Sequence, residues 1–156
     1  MPYLAMLPSL LCGLAVGAED VRRRRVPRAW IAAGCLTQLI ADVVYGLAVN
    51  SLFVVPQAVL FAMVAAVLQC LLALARPGAL GFGDVTCTLM TGLAVGLFGL
   101  DAMIVWWLAM GLLGLAWMTL WIRFDPQSDT PYAGKVPFAP VIVIAGLAAG
   151  MFGIAL

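Results

Sequence analysis

Six hydrophobic runs, separated by short polar segments, make up most of this chain. They cover roughly residues 3–19, 29–49, 52–75, 84–100, 102–122 and 136–156. A helix needs about 20 mostly apolar residues to cross the hydrocarbon core of a membrane. Of the 156 residues, 65% are hydrophobic and only 10% are charged, whereas soluble domains have about 25% charged residues. The sequence therefore predicts an all-α, polytopic membrane protein with six transmembrane helices in a single domain, 1–156.

The positively charged residues are confined to alternate breaks between these runs. Five arginines follow the first run, Arg76 follows the third, and Arg123 and Lys135 flank the break after the fifth. Since Lys and Arg accumulate in the cytoplasmic loops of membrane proteins, these breaks are predicted to be cytoplasmic and both termini to lie outside. "AVGA" before Glu19 resembles a signal-peptidase site, but the arginines follow the apolar run instead of preceding it. That order favours an uncleaved helix.

Two aspartates stand at the ends of hydrophobic runs on this predicted cytoplasmic side. Asp20 closes the first run in "AEDVRRRRVP", and Asp84 opens the fourth in "ALGFGDVTCTLM". Each has a structural explanation by itself: Asp84 as a helix N-cap, and Asp20 as a boundary carboxylate paired with neighbouring arginines. The topology also allows them to meet, and two adjacent carboxyls share one proton. Such a pair favours aspartic protease chemistry, in which one carboxyl activates water and the other polarises a peptide carbonyl.

Two glycines precede Asp84 and flank Phe82. Because Gly81 and Gly83 have no Cβ, they permit turn conformations and the close approach of another backbone. We therefore expect the Gly81–Phe82–Gly83 loop to support the backbone of an extended substrate that lies beside the aspartates.

Together these motifs resemble those of the type IV prepilin peptidases, which are GxGD intramembrane aspartyl proteases. "DVRRRRVPR" from Asp20 is similar to that family's D-x-R-x-R-R-I-P-N, "GFGDVT" from Gly81 to its G-x-G-D-x-K, and "KVPFAP" from Lys135 to its K-x-P-F-x-P. The resemblance extends over essentially the whole chain in motif order and loop position. The chain departs from the family pattern at Arg28, where asparagine is usual, and at Thr86, where lysine is common.

The resemblance implies that Asp20 and Asp84 form the catalytic pair of an endopeptidase of the bacterial inner membrane. This enzyme would remove the short leader of prepilin-like membrane proteins at the cytoplasmic face. It would be the peptidase-only form, similar to those of tight-adherence (Flp-type) pili, which lacks N-methylation. Neither a metal nor an organic cofactor nor nucleic acid is implied, and the bilayer is the expected surrounding. The candidate contacts with the substrate or the loops are Glu19, Arg76, Lys135, Pro137 and Phe138.

Asp42 is the one acidic residue predicted to lie within the membrane, on a helix face shared with Gln38 and Tyr45. At about 1.5 Å per residue it lies about 20 Å from the cytoplasmic end of its helix, too far to join Asp20 and Asp84. The sequence favours a buried polar bridge between helices or an outer-interface residue at this position. Two alternative functions remain: a small transporter or channel subunit with carboxylates along an ion path, and a non-catalytic pilus-assembly scaffold.

Tryptophans and glycines of the later runs are predicted to belong to the scaffold. The tryptophans of the fifth run, Trp106, Trp107, Trp117 and Trp121, are expected to be lipid-facing or interfacial anchors. The glycines of the fourth and fifth runs indicate close helix packing; they are Gly92, Gly96, Gly99, Gly111 and Gly114.

Overall fold

The computed structural model describes residues 2–75, 80–124, 129–131 and 135–155, and within these ranges the fold is all-helical, without strands. The helices are α1 (Pro2–Arg23), α2 (Arg28–Ala48), α3 (Val54–Ala75), α4 (Phe82–Gly96), α5 (Gly99–Phe124) and α6 (Ala139–Ala155). Each predicted hydrophobic run corresponds to one helix. The fourth run was expected to continue to residue 100, but α4 ends at Gly96 and Gly99, with φ of +85°, starts α5 after a sharp turn, a conformation that glycine adopts without strain.

Four of these helices, α1, α2, α3 and α5, are long and apolar enough to cross a membrane, whereas α4 and α6 are shorter apolar helices. The outward faces of the long helices carry large hydrophobic side chains; on α3 these include Leu60, Met63, Val67 and Leu71. Soluble monomers rarely expose apolar patches of this extent. The architecture is therefore compatible with a multi-pass membrane protein.

Helix α4 lies at the centre of the bundle and contacts each of the other five helices. Its residues from Met90 to Gly96 are all buried. The predicted close packing is confirmed at two glycines: a Cβ on Gly96 would lie 2.9 Å from Ala58 Cα, and one on Gly92 would lie 3.0 Å from Ala62 Cα. These contacts hold α4 directly against the backbone of α3. At Gly111 the packing prediction is wrong, because a Cβ there would meet nothing within 4 Å.

Gln38 and Asp42 form the predicted polar bridge between helices. Both are fully buried, and Gln38 Nε2 donates to Asp42 Oδ1 at 2.7 Å. The same amide donates to Ala5 O at 2.7 Å and accepts from Ser9 N at 3.0 Å. In an undisturbed α-helix, the N–H of Ser9 would donate to Ala5 O. The Gln38 amide bonds to both of these groups, in the turn of α1 that contains Pro8. This bridge fixes α2 to α1.

Trp106 is not a lipid-facing anchor, and the prediction for it is wrong. The side chain is fully buried in the core, and its Nε1 donates to Ile142 O of α6 at 3.1 Å. A buried indole needs an acceptor for its N–H. Here α6 provides that acceptor, so Trp106 joins α5 to α6.

Candidate active site

A cavity of about 490 Å³ lies where α1 ends and where α2 and α4 begin. Both Asp20 and Asp84 line it. The two side chains are largely buried, with 8% and 9% of their surface exposed, and their charges are close enough to interact. The fold thus brings together the two acidic motifs, which are far apart in the sequence.

Asp20 lies in the last turn of α1 and reaches the first turn of α6. Its Oδ2 accepts a hydrogen bond of 3.2 Å from the backbone N–H of Ala139, the first residue of α6. The N–H groups at a helix start have no partner within the helix, and the helix dipole favours a negative charge there. Asp20 therefore ties the "KVPFAP" segment to the end of α1. The neighbouring Glu19 pairs with Arg23 at 3.5 Å.

Asp84 is held in the first turn of α4. The sequence places it at the start of the helix, whereas the structure starts the helix at Phe82 and makes Gly81 the N-cap residue. Asp84 Oδ2 accepts a 2.9 Å hydrogen bond from the N–H of Gly81. This is the return bond of a capping box, in which the third helical residue satisfies the N-cap N–H. The Asp84 side chain thus both caps α4 and lines the cavity.

The two glycines before Asp84 have different surroundings. A Cβ on Gly83 would lie only 2.7 Å from Cβ and Cγ2 of Val26, so the loop between α1 and α2 rests directly on Gly83. A Cβ on Gly81 would meet nothing closer than Asp84 Oδ2, at 3.5 Å. Gly83 is therefore required for packing, and the space beside Gly81 is open on the cavity side. Phe82 between them lines the cavity and is exposed.

Two arginines and a threonine complete the described lining. Arg24 and Arg28 bring positive charge to the cavity, and Arg24 lies close enough to Asp20 to interact with it electrostatically. Thr86, which stands where the resembled family has lysine, donates from Oγ1 to Gly83 O at 2.9 Å. The cation near the aspartates is thus provided by the α1–α2 segment and not by α4.

Sequence reasoning missed the support beneath Arg24. The Arg24 guanidinium lies over the Trp121 ring, 4.7 Å from its centroid, and Trp121 packs on Trp117 at 5.4 Å. Trp117 Nε1 donates to Pro137 O at 2.8 Å. The interfacial-anchor prediction is wrong for Trp121, which is buried. The spacing of four residues, which places both rings on one face of a helix, was the signal that could have identified them.

The remaining predicted contact residues lie outside the cavity or outside the described residues. Glu19 pairs with Arg23, and Lys135 is exposed. Neither Pro137 nor Phe138 is among the residues that line the cavity. Pro137 is buried, and Phe138 packs against Gly114 of α5. Arg76 lies outside the described residues.

No family model, curated protein or solved structure matches this chain. The part of the chain that the structure describes contains no group of three or more His, Cys, Asp or Glu side chains arranged to hold a metal ion. The chemistry that the cavity offers is that of two buried carboxyl groups beside two guanidinium groups. The two carboxyl groups can move protons and polarise a carbonyl.

Proposed function

We propose that this protein is a membrane-embedded aspartyl endopeptidase that removes the short leader from Flp-type prepilins, without N-methylation. One observation carries the proposal: Asp20 and Asp84, from motifs far apart in the sequence, line the same cavity. The resemblance of "DVRRRRVPR", "GFGDVT" and "KVPFAP" to the prepilin peptidase motifs supports the substrate class.

The reaction needs one ionised and one protonated carboxyl in the pair. The ionised carboxylate accepts a proton from a water molecule as the water oxygen attacks the scissile carbonyl carbon. The protonated carboxyl donates a hydrogen bond to the carbonyl oxygen and stabilises the tetrahedral intermediate. When the C–N bond breaks, a proton passes from the pair to the leaving amine. The net reaction consumes one water molecule and leaves the pair with one proton.

The surroundings of the aspartates fit a polypeptide substrate. The open space beside Gly81 admits an extended backbone next to Asp84. A prepilin carries its cleavage site just before a hydrophobic helix, so that helix would pack laterally against the bundle while the cleavage site enters the cavity. Arg24 and Arg28 would repel a basic leader, so the leader would leave the cavity away from these two residues.

We propose six membrane spans, with the cavity on the cytoplasmic side of the bacterial inner membrane and both termini outside. The described cations lie at the end of α1 and in the turn after it, at the start of α2, at the end of α5 and in the segment before α6; they include Arg28, Arg123 and Lys135. Positive charge of this kind is characteristic of cytoplasmic loops. This orientation places the aspartates on the side where prepilin leaders lie.

Co-expression of the full-length protein with a Flp-type prepilin tests the proposal. Wild type should remove the leader, which a gel shift and the mass of the product would report. Asp20→Asn and Asp84→Asn should each lower the cleavage rate at least about 100-fold, because an amide cannot exchange the proton. Asp101 is an exposed aspartate in the first turn of α5, so Asp101→Asn is the matched control and should cleave like wild type.

The same experiment separates the alternatives. Cleavage by both cavity variants would leave Asp84 as a helix-capping residue and would refute the mechanism. If wild type does not cleave the prepilin and pilus assembly survives in both cavity variants, the protein is the non-catalytic scaffold. Failure of wild type on several such prepilins would refute the substrate class and favour the transporter or scaffold function.

A further inference from the structure

A second cavity lies between α1 and α6, outside the site with the two aspartates. Its volume is about 290 Å³, and its lining is almost entirely apolar. The walls include Gly17, Ala18 and Val21 of α1 and Pro140 and Val143 of α6. None of its lining residues is shared with the aspartate cavity. We call it the α1–α6 groove.

The groove follows from small residues on α1. A Cβ on Gly13 would lie 2.8 Å from Val143 Cγ2, and one on Gly17 would lie 3.4 Å from Pro140 Cα, so α1 and α6 pack closely along this line. The exposed side chains of Leu14 and Ile144 also line the groove. The glycines therefore let α1 and α6 come into close contact, and the groove lies beside this contact, with Leu14 and Ile144 in its walls.

The length and lining of the groove suit a hydrocarbon chain. Its α1 wall runs from Gly13 to Arg22, a length of about 13 Å at the helical rise per residue. Its lining is almost entirely apolar over this length, which suits contact with an extended acyl chain.

A cation stands at the end of this apolar groove. Arg22 lines it, is exposed, and makes no ion pair with any described residue, whereas the next residue, Arg23, pairs with Glu19. The arginines on either side belong to the same basic segment. A phosphate group at Arg22 would complement this charge, and basic sites between helices on the cytoplasmic side of membranes bind anionic lipid headgroups.

We propose that the α1–α6 groove binds an anionic phospholipid, with one acyl chain between α1 and α6 and its phosphate at Arg22. The α1 wall of the groove includes Ala18 and Val21, on either side of Asp20 in the sequence, and its α6 wall starts at Pro140, the residue after Ala139, to which Asp20 is bonded. A bound lipid would therefore fill the surface next to the junction of α1 and α6 that positions Asp20.

Native mass spectrometry of the full-length protein, titrated with phosphatidylglycerol and separately with phosphatidylcholine, tests the site. Wild type should retain one phosphatidylglycerol more tightly than phosphatidylcholine. Arg22→Gln should lower the affinity for phosphatidylglycerol by about fivefold, the effect of one cation near a membrane surface, and should abolish the preference. Ala18→Phe should lower the binding of both lipids because the ring fills the groove. Arg25→Gln and Ala15→Phe alter exposed residues outside the lining and should bind like wild type.

Three outcomes would overturn the proposal. Equal losses for Arg22→Gln and Arg25→Gln would indicate a general basic surface. Unchanged lipid binding by Ala18→Phe would indicate that the groove is not where the acyl chain lies; a thermal melt checks the folding of this variant, and the exposed Arg22→Gln gives an independent test. If a prepilin helix cross-links to position 18 while no lipid is retained, the groove belongs to the substrate. Loss of prepilin cleavage alone would bear on the proposed protease and not on this site.

Discussion

At the scale of the single residue, each aspartate of the cavity accepts a hydrogen bond at the start of a helix. Asp20 accepts from the first N–H of α6, and Asp84 accepts from the N-cap N–H of α4. These bonds fix the position of each carboxylate and place both at helix N-termini, where negative charge is favourable. Asp84 is not the N-cap residue but the capping-box residue of α4, and this capping does not exclude the proposed catalytic role, since the bond to Gly81 N–H also fixes the position of the carboxylate.

Arg24 allows the backbone and the charge to be tested separately. It has φ of +53°, a left-handed conformation that favours glycine. We expect Arg24→Gly to keep the turn after α1 and the melting temperature, yet to lower prepilin cleavage by about tenfold or more because Asp20 loses its neighbouring cation. Arg24→Ala should lose the same activity and melt below Arg24→Gly, because alanine keeps the Cβ that is strained in this conformation. Wild-type cleavage by Arg24→Gly would contradict a role for the guanidinium.

The two glycines of "GFGD" should respond differently to the same substitution. Gly83→Ala forces the α1–α2 loop away from α4, because the new Cβ would lie 2.7 Å from Val26, and overpacking of this kind costs about 1–3 kcal/mol. Gly81→Ala has room for its Cβ and should melt like wild type. Thermal unfolding in detergent measures both variants. If Gly81→Ala proved the more destabilising of the two, the described contact between Gly83 and Val26 would be wrong.

At the scale of the secondary-structure element, α4 determines how the site is assembled. It carries Asp84 in its first turn and packs its glycines against α3. A short, buried helix of this kind is positioned by its neighbours on all sides. Substitutions in its second half are therefore expected to act on the whole bundle, at a distance from the aspartates.

Gly96 of α4 and Gly111 of α5 form a matched pair of positions for testing this packing. Gly96→Ala would place a Cβ 2.9 Å from Ala58 Cα, where only a movement of the backbone relieves the clash, whereas Gly111→Ala meets nothing within 4 Å. We expect Gly96→Ala to destabilise the protein by about 1–3 kcal/mol, and Gly111→Ala to be neutral or slightly stabilising, since alanine is the better helix former. Unfolding in detergent compares them, and equal stabilities would refute the close contact of α3 with α4.

At the scale of the whole molecule, the alternating direction of successive helices brings motifs that are distant in the sequence to one site. The end of α1 and the starts of α2 and α4 surround the aspartate cavity, and the start of α6 reaches it through Ala139. A topology with one span more or fewer between Asp20 and Asp84 would separate them by about 30 Å of hydrocarbon.

The proposed orientation can be measured in intact cells. Asn50, in the turn between α2 and α3, and Asp129, in the segment between α5 and α6, are both exposed. In a background without the native cysteines, Asn50→Cys should react with a membrane-impermeant maleimide in cells with a permeabilised outer membrane. Asp129→Cys should react only after the inner membrane is opened. The reverse pattern would place the aspartates on the outer side and exclude cleavage at the cytoplasmic face.

The sequence by itself determined the helices, because long apolar runs are local features that need no knowledge of packing. It predicted one helix for each hydrophobic run, a polar bridge between helices as one of two alternatives for Asp42, and the possible meeting of Asp20 and Asp84; their catalytic role stays a prediction. Only the tertiary structure decided that Trp106 and Trp121 face inward, that Gly83 and not Gly81 is sterically required, and that Arg24 is the cation beside Asp20. Those features depend on which faces of separate helices meet, and a hydrophobic pattern cannot distinguish a face covered by lipid from one covered by another helix when both surroundings are apolar.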